Sequence, residues 1–437
     1  MRDPLLNALF EPDFEHSFAN GITLVGKSMP VTEVVAVDVW IPTGSRHEQP
    51  GEYGISHFLE HMIFKGTPTL APGEFDRLIE GRGGITNAAT SQDYTHYYIA
   101  VAQSDLEEVL PVFAELILGA GIPEGELERE RLVVLEEMRR AADNPDHCTY
   151  HTLMEHLFPE HPYSRPVLGS MDSVAALTAA QLRAYHRRHY CPSRMVVAVA
   201  GGMDPEAMIA TVEKSFACFG DAEPQPGSGV AGASSGEDLW DGPRLLRVER
   251  EHPRAEMTRL CLAWPTVAVH QWQDGTYCEL LAVILGSGRV SRLVQRLRED
   301  YGWVRGIGCH HHSQDLAGYF SISAHLHPQD LGRVEQVIRQ EIAAVQQEGV
   351  TPAELARAKR SLQRELLFSS ESPAQMASLF GYYCLMGSRT GLGLAWQCLH
   401  TATLEDIRRV ANQYLPLDGY TLVTLSPAGV EAARIPD

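Results

Sequence analysis

Basic residues are the first shortage. The 437-residue chain has 36 lysines and arginines against 56 aspartates and glutamates, a formal net charge of −20. A nucleic-acid binder needs a basic footprint, so that class is set aside. Long apolar runs are missing as well: no stretch reaches the roughly 18 residues a membrane span requires. Cysteine pairs are the third absence. The eight cysteines, at 148, 191, 218, 261, 278, 309, 384 and 398, form no C-x-x-C, which removes cysteine zinc sites and dithiol redox motifs. Scattered thiols point to a reducing compartment, hence a cytoplasmic location. The opening segment to Phe18 is broken by Asn7 and soon meets Glu11, Asp13 and Glu15, so it does not read as a signal peptide.

What remains is an ordinary globular composition, 44% hydrophobic and 21% charged. Residues 221–238, rich in Gly, Pro, Ser and acids, read as a flexible linker near the middle of the chain. The parts on either side resemble each other. Residues 34–42 (VVAVDVWIP) and 257–265 (MTRLCLAWP) both read as buried strands ending in proline, 223 positions apart. Residues 177–202 and 402–427 both read as a helix, a proline turn and a strand. There Thr178 matches Thr403, 225 positions on, and Tyr190 and Pro192 match Tyr414 and Pro416 at 224. A near-constant offset implies duplication. The expected domains are 1–220, a linker 221–243 and 244–437. Strands and helices mix without regular β-α-β alternation, so each half is expected to be α+β, a mostly antiparallel sheet with helices on one face.

Residues 54–67 read GISHFLEHMIFKGT. On a helix, with His57 at 0°, His61 falls at about 40° and Glu60 at about 300°, so all three share one arc. The remaining positions are largely apolar. Burying such a strip unpaired would cost roughly 2–7 kcal/mol per neutral polar group and more for a charge. Two histidines one turn apart suit two corners of a tetrahedral zinc site, and the carboxylate beside them suits a base that takes a proton from metal-bound water. By itself H-x-x-E-H is a weak signal and needs a third ligand. The helical segment 126–141 offers one. Its core stripe is Leu127, Val134 and Met138; Glu130 and Glu137 border that stripe at about 300° and 280°, while Glu136 faces away at about 180°. A carboxylate against a core needs a cation or donors. Glu137 is assigned to the metal and Glu130 to orienting a ligand.

With these residues the sequence resembles the inverted-motif zinc peptidases: pitrilysin, insulin-degrading enzyme and mitochondrial processing peptidase. His57, Glu60 and His61 match the family's H-x-x-E-H. Glu137, 76 positions after His61, stands where its third ligand falls, and Glu130 matches its accessory glutamate. NAATSQDYTHYY (87–98) is similar to the family's substrate-pairing edge, which implies that Asn87, Ala88, Ala89 and Thr90 bind an extended peptide by strand addition. The resemblance also implies the LuxS- and processing-peptidase-like metallohydrolase fold, a single zinc held in the first half, and a chamber closed by a second subunit. In the second half Cys278, Leu281 and Ala282 stand near the ligand positions, so no metal is expected there.

One departure bears on partners. Self-sufficient members carry L-R-E-x-x-G-L-x-Y, whereas residues 297–305 read LREDYGWVR. Arg298 fits, but Arg305 replaces a tyrosine thought to polarise the scissile carbonyl. This implies the zinc-bearing chain of a heterodimer whose zinc-less partner supplies the Arg/Tyr pair. A homodimer using Tyr301 or Tyr319 is the alternative. His310 to His312 are expected in an exposed loop, Gly286-Ser-Gly288 lacks the lysine of a phosphate loop, and Ser56 beside His57 is no serine-protease pair. The function expected is a zinc metalloendopeptidase. A scaffold subunit would be marked by degenerate ligands, and an amidohydrolase on small substrates would not need a strand-pairing edge.

Overall fold

The two apolar runs are the central strands of two sheets. Val34–Ile41 is buried at every position after its first, and Thr258–Thr266 is buried over most of its length. Strands hidden on both faces need cover from both sides, and the way the chain supplies it governs the architecture. The computed structural model describes residues 9–220, 245–387 and 391–429; the expected linker lies outside them.

In the first half the strands are β1 (Phe14–Ser17), β2 (Thr23–Ser28), β3 (Val34–Ile41), β4 (Ile85–Thr90), β5 (Thr95–Ala102) and β6 (Val196–Gly201), ordered β1-β2-β6-β3-β5-β4. In the second they are β7 (Leu246–His252), β8 (Thr258–Thr266), β9 (Val304–Ser313), β10 (Gly318–Leu326) and β11 (Thr421–Pro427), ordered β7-β11-β8-β10-β9. Without β1 the two orders correspond strand for strand. Each sheet has one parallel pair, β2 with β6 and β7 with β11, and is otherwise antiparallel. The matched threonines play one role: Thr178 and Thr403 each cap a helix, accepting from Gln181 N–H and Asp406 N–H in reciprocal capping boxes.

Compactness does not follow the contiguous halves. Arg139–Ser164 belongs to the second compact unit and Leu367–Gly393 to the first. The helix Pro145–Leu157 therefore packs on β8 and β11, and its counterpart Pro373–Leu385 packs on β3 and β6. Composition permits this exchange. Leu153, Met154 and Leu157 share a core with Cys261, Ala263 and Val423. In the first unit Gly381 lies against Trp40, where a Cβ would fall 2.2 Å from the indole nitrogen. The principal core lies on the other face of the first sheet: Val35, Val37, Val39 and Ile41 meet Phe58, Leu59, Met62 and Phe113.

His310 to His312 are not in a loop. They form part of β9, the edge of the second sheet, paired with Ser321, Phe320 and Tyr319 of β10. Alternation sends His311 to one face, where its Nε2 lies 3.0 Å from Thr266 Oγ1, and leaves its neighbours exposed. Three polar residues in a row misled the sequence reading, because an edge strand tolerates polar side chains on both faces.

Candidate metal centre

The helix α1 (Ile55–Ile63) follows Gly54, whose φ of 89° places it in the left-handed region, with Leu168 O 2.7 Å from where a Cβ would lie. Its free N-terminal donors are met by a buried carboxylate: Gly54 and Ser56 donate N–H to Glu48 at 2.8 and 2.9 Å. Burial pushes the Glu48 carboxyl up to about 7 against these hydrogen bonds. The Ser56 hydroxyl lies 2.8 Å from Tyr185 Oη, which is 3.0 Å from Thr43 Oγ1. Ser56 is thus a structural residue of a buried network that fixes the start of α1.

Further along α1, His57 and His61 stand with ring centroids 4.7 Å apart. From α2 (Glu124–Ala142), Glu137 Oε2 comes within 3.7 Å of His57 Nε2 and 3.5 Å of His61 Nε2. Donors about 2.0–2.2 Å from a tetrahedral zinc lie about 3.3–3.6 Å from one another; the His61 spacing falls within that range and the His57 spacing just beyond it, close enough for the three groups to share an ion. Among the described residues this is the one cluster of three histidine, cysteine or acidic side chains able to hold a metal. Glu136 is exposed, as its helix position requires.

The surroundings tune the two imidazoles in opposite directions. Burial and the neighbouring His61 hold His57 down at about 4, leaving a neutral ring suited to ligation. Burial would lower His61 too, but hydrogen bonding to Glu130 and Glu137 outweighs it and brings His61 to about 9. His61 Nδ1 lies 2.8 Å from Glu130 Oε1, and the other oxygen of that carboxylate is 2.7 Å from Lys65 Nζ. Glu130 orients His61 and is itself held by Lys65, a residue the sequence reading missed although it follows His61 by four positions, one helical turn.

Glu60 accepts a hydrogen bond from Thr90 Oγ1 at 2.5 Å, and burial raises its pKa. The threonine hydroxyl thus ties the candidate base to the last residue of β4, a side-chain role that a main-chain reading of 87–90 did not foresee. β4 is the edge of its sheet, paired on one side with β5 through Asn87 with Tyr98, Ala88 with Tyr97, Ala89 with His96 and Thr90 with Thr95. Ala88 N–H is donated to Asn87 Oδ1 at 3.0 Å rather than into the ladder. Backbone groups alternate along an antiparallel strand, so Ala88, and not Ala89, presents its main chain to the open edge.

The second-half residues lie elsewhere in the scheme. Cys278, Leu281 and Ala282 are buried in the helix Trp272–Gly286. Arg298 pairs with Glu299 at 2.6 Å, and Arg305 is an exposed residue of β9. Tyr301 stacks on Trp303 at the surface, whereas Tyr319 is only 6% exposed and packs in the second unit's core.

Two imidazoles, a carboxylate and an adjacent, partly buried glutamate on an inverted H-x-x-E-H helix are a donor set of the zinc-hydrolase type. The comparisons agree in kind. Residues 23–171 match the insulinase model of peptidase family M16, and residues 176–362 match the family's inactive-domain model. The chain belongs to that family. It is 33% identical to an uncharacterized zinc protease of Mycobacterium leprae, over 90% of this chain and 87% of the relative. It is 32% identical to the uncharacterized zinc protease YmxG of Bacillus subtilis, over 94% and 97%. A protease from Helicobacter pylori superposes with a TM-score of 0.88 at 26% identity, covering 95% of this chain and all of that one. A peptidase M16 inactive domain from Pseudomonas fluorescens shares the fold, with a TM-score of 0.84 at 21% identity over 95% and 98% of the two chains. No helix among the described residues is long and apolar enough to cross a membrane.

Proposed function

We propose that the chain is a zinc metalloendopeptidase that holds one zinc through His57, His61 and Glu137. The observation that carries this reading is the position of Glu60, beside three converging donors and hydrogen-bonded to the end of an open sheet edge. Zinc bound there supplies Lewis acidity to a peptide carbonyl and acidifies water. Glu60, kept partly protonatable by burial, takes the proton of the attacking water at its carboxylate and returns it to the leaving amine. Glu130 holds His61 in one orientation throughout. The substrate lies extended along residues 87–90, with Ala88 pairing through its main chain once the Asn87 side chain swings aside. Residues 1–220 form the catalytic half, 221–243 the connection and 244–437 the metal-free half. Eight cysteines engaged in no disulfide suit the cytoplasm.

Full activity requires a second, related chain. A zinc peptidase of this kind needs a donor to the developing oxyanion, and loss of such a donor costs about 10²–10³ in rate. Arg305 occupies the position where a tyrosine would serve, and Tyr319 is committed to a core. A zinc-less partner with an Arg/Tyr pair would complete the site in a closed chamber. The test is to purify this chain, verify one zinc, and assay an unstructured peptide with and without the candidate partner. Cleavage that appears on mixing and disappears when the partner's tyrosine is replaced supports the reading. A homodimer that cleaves at the full rate alone overturns the heterodimer, and failure of every mixture to cleave overturns the peptidase.

A further inference from the structure

A second pair of imidazoles lies far along the chain from the zinc helix and belongs to the second compact unit. His147 and His151 sit one turn apart on Pro145–Leu157. Their Nε2 atoms are 3.1 Å from each other, and the ring centroids are 4.3 Å apart. We propose that this pair is a two-histidine clamp for a divalent transition-metal ion of the copper, nickel or zinc type.

Three features of the helix support the clamp. Its start is fixed: Pro145 occupies the first turn, and the Asn144 side chain accepts from Asp146 N–H and His147 N–H. Further along, Leu153, Met154 and Leu157 anchor it in the second unit's core, so both histidines project from a rigid element. Positions i and i+4 are neighbours on a helix surface, which lets both rings turn the same nitrogen inward. Two nitrogens bound at about 2.0 Å in adjacent corners of a square-planar or tetrahedral ion lie about 2.8–3.3 Å apart, and the observed spacing falls inside that range.

The protonation state agrees. Burial and the neighbouring His147 lower His151 to about 4, and burial lowers His147 as well. Both rings are neutral at pH 7, and an ion entering would displace at most the single proton shared between the two Nε2 atoms. Each side chain is only partly buried, which leaves the ion's remaining positions to water. Imidazole pairs bind first-row ions in the order that peaks at copper, so Cu²⁺ is the probe of choice.

The experiment uses the full chain with its catalytic site already filled with zinc. Cu²⁺ is added, and binding is followed by calorimetry and by electron paramagnetic resonance. The expected result is one further Cu²⁺ per chain with nitrogen hyperfine structure from two imidazoles. Affinity should fall at least tenfold in His147→Ala and in His151→Ala while the zinc content stays at one. A His310→Ala/His312→Ala variant controls for another pair of exposed histidines and should leave the affinity unchanged. Equal copper binding by wild type and His147→Ala/His151→Ala, or loss of the copper signal in the His310→Ala/His312→Ala control, overturns the proposal. Neither readout depends on peptidase activity, so the clamp and the proposed function fail separately.

Discussion

Two helices at equivalent places in a duplicated fold have opposite characters. Ile55–Ile63 carries a polar strip of His57, Glu60 and His61 that Glu137, Glu130 and Thr90 meet from outside. Trp272–Gly286 buries eleven of its residues, among them Cys278, Leu281 and Ala282, and presents no such strip. The sheets around them share strand order, the parallel pair and the capping threonines, so architecture does not separate the half with the donor cluster from the half without one. What separates them is whether polar groups on the helix have partners. A buried imidazole or carboxylate persists only where an ion, a cation or a donor compensates its desolvation. In the first unit α2 delivers two glutamates to α1; in the second the corresponding helix positions are buried in packing.

The contrast is broken most severely by removing what makes the first helix different. His57→Ala, His61→Ala or Glu137→Gln is expected to reduce zinc per chain to near zero and activity with it, as metal analysis of the purified variants will read. Glu60→Gln should keep its zinc yet lose about 10²–10⁴ in rate, because the amide keeps the shape and cannot take the proton. Full zinc in Glu137→Gln would move the third ligand to another residue, and a near-normal rate in Glu60→Gln would place the base elsewhere.

The reverse change tests the silent helix. Leu281→Glu puts a carboxylate where Glu60 stands in the other half, but Leu281 is 1% exposed and lacks an equivalent of the Thr90 contact. We expect it to lower stability on the order of 3 kcal/mol or more, measured by denaturant unfolding, while Glu60→Gln changes stability little. Similar stabilities for the two variants would mean that partnering does not explain the difference between the halves.

A smaller effect concerns tuning. Without metal, His61 stays protonated up to about pH 9, so zinc must expel that proton. Zinc affinity should therefore rise with pH, by about tenfold per unit from this group below that value, in chelator competition. Glu130→Ala removes a carboxylate that holds the proton, and should both weaken zinc by about 10–100-fold and shift this dependence to lower pH. A variant with unaltered pH dependence would deny Glu130 its positioning role.

The smallest expected change lies at the sheet edge. Ala88→Pro removes a main-chain donor facing the open side, and should weaken peptide binding about tenfold with zinc retained. Ala89→Pro instead strikes the pairing with β5 and should act on stability. Equal peptide affinity in folded Ala88→Pro and wild type would count against strand addition along 87–90.

Much of this was legible in the chain. The spacing within 57–61 places two imidazoles and a carboxylate on one arc because helical geometry is periodic, and the same periodicity sets Glu130 and Glu137 against the core and Glu136 outside it. The near-constant offset announced the duplication, since matched caps and strands recur wherever one fold is written twice. Other features depend on residues distant in sequence and carry no local signal. Lys65 under Glu130, Thr90 under Glu60, and Glu48 at the start of α1 are each set by where another element happens to arrive. The exchange of Pro145–Leu157 and Pro373–Leu385 between the units is of this kind, because an amphipathic helix specifies an apolar face and not the sheet that will cover it. The placement of His310 to His312 on a strand follows from pairing with β10, and the open backbone of Ala88 follows from pairing with β5. The sequence by itself determined the types of the candidate donors, their spacing and the repeat; tertiary structure decided which polar groups meet, because desolvation and hydrogen bonding are settled only when separate elements are brought into contact.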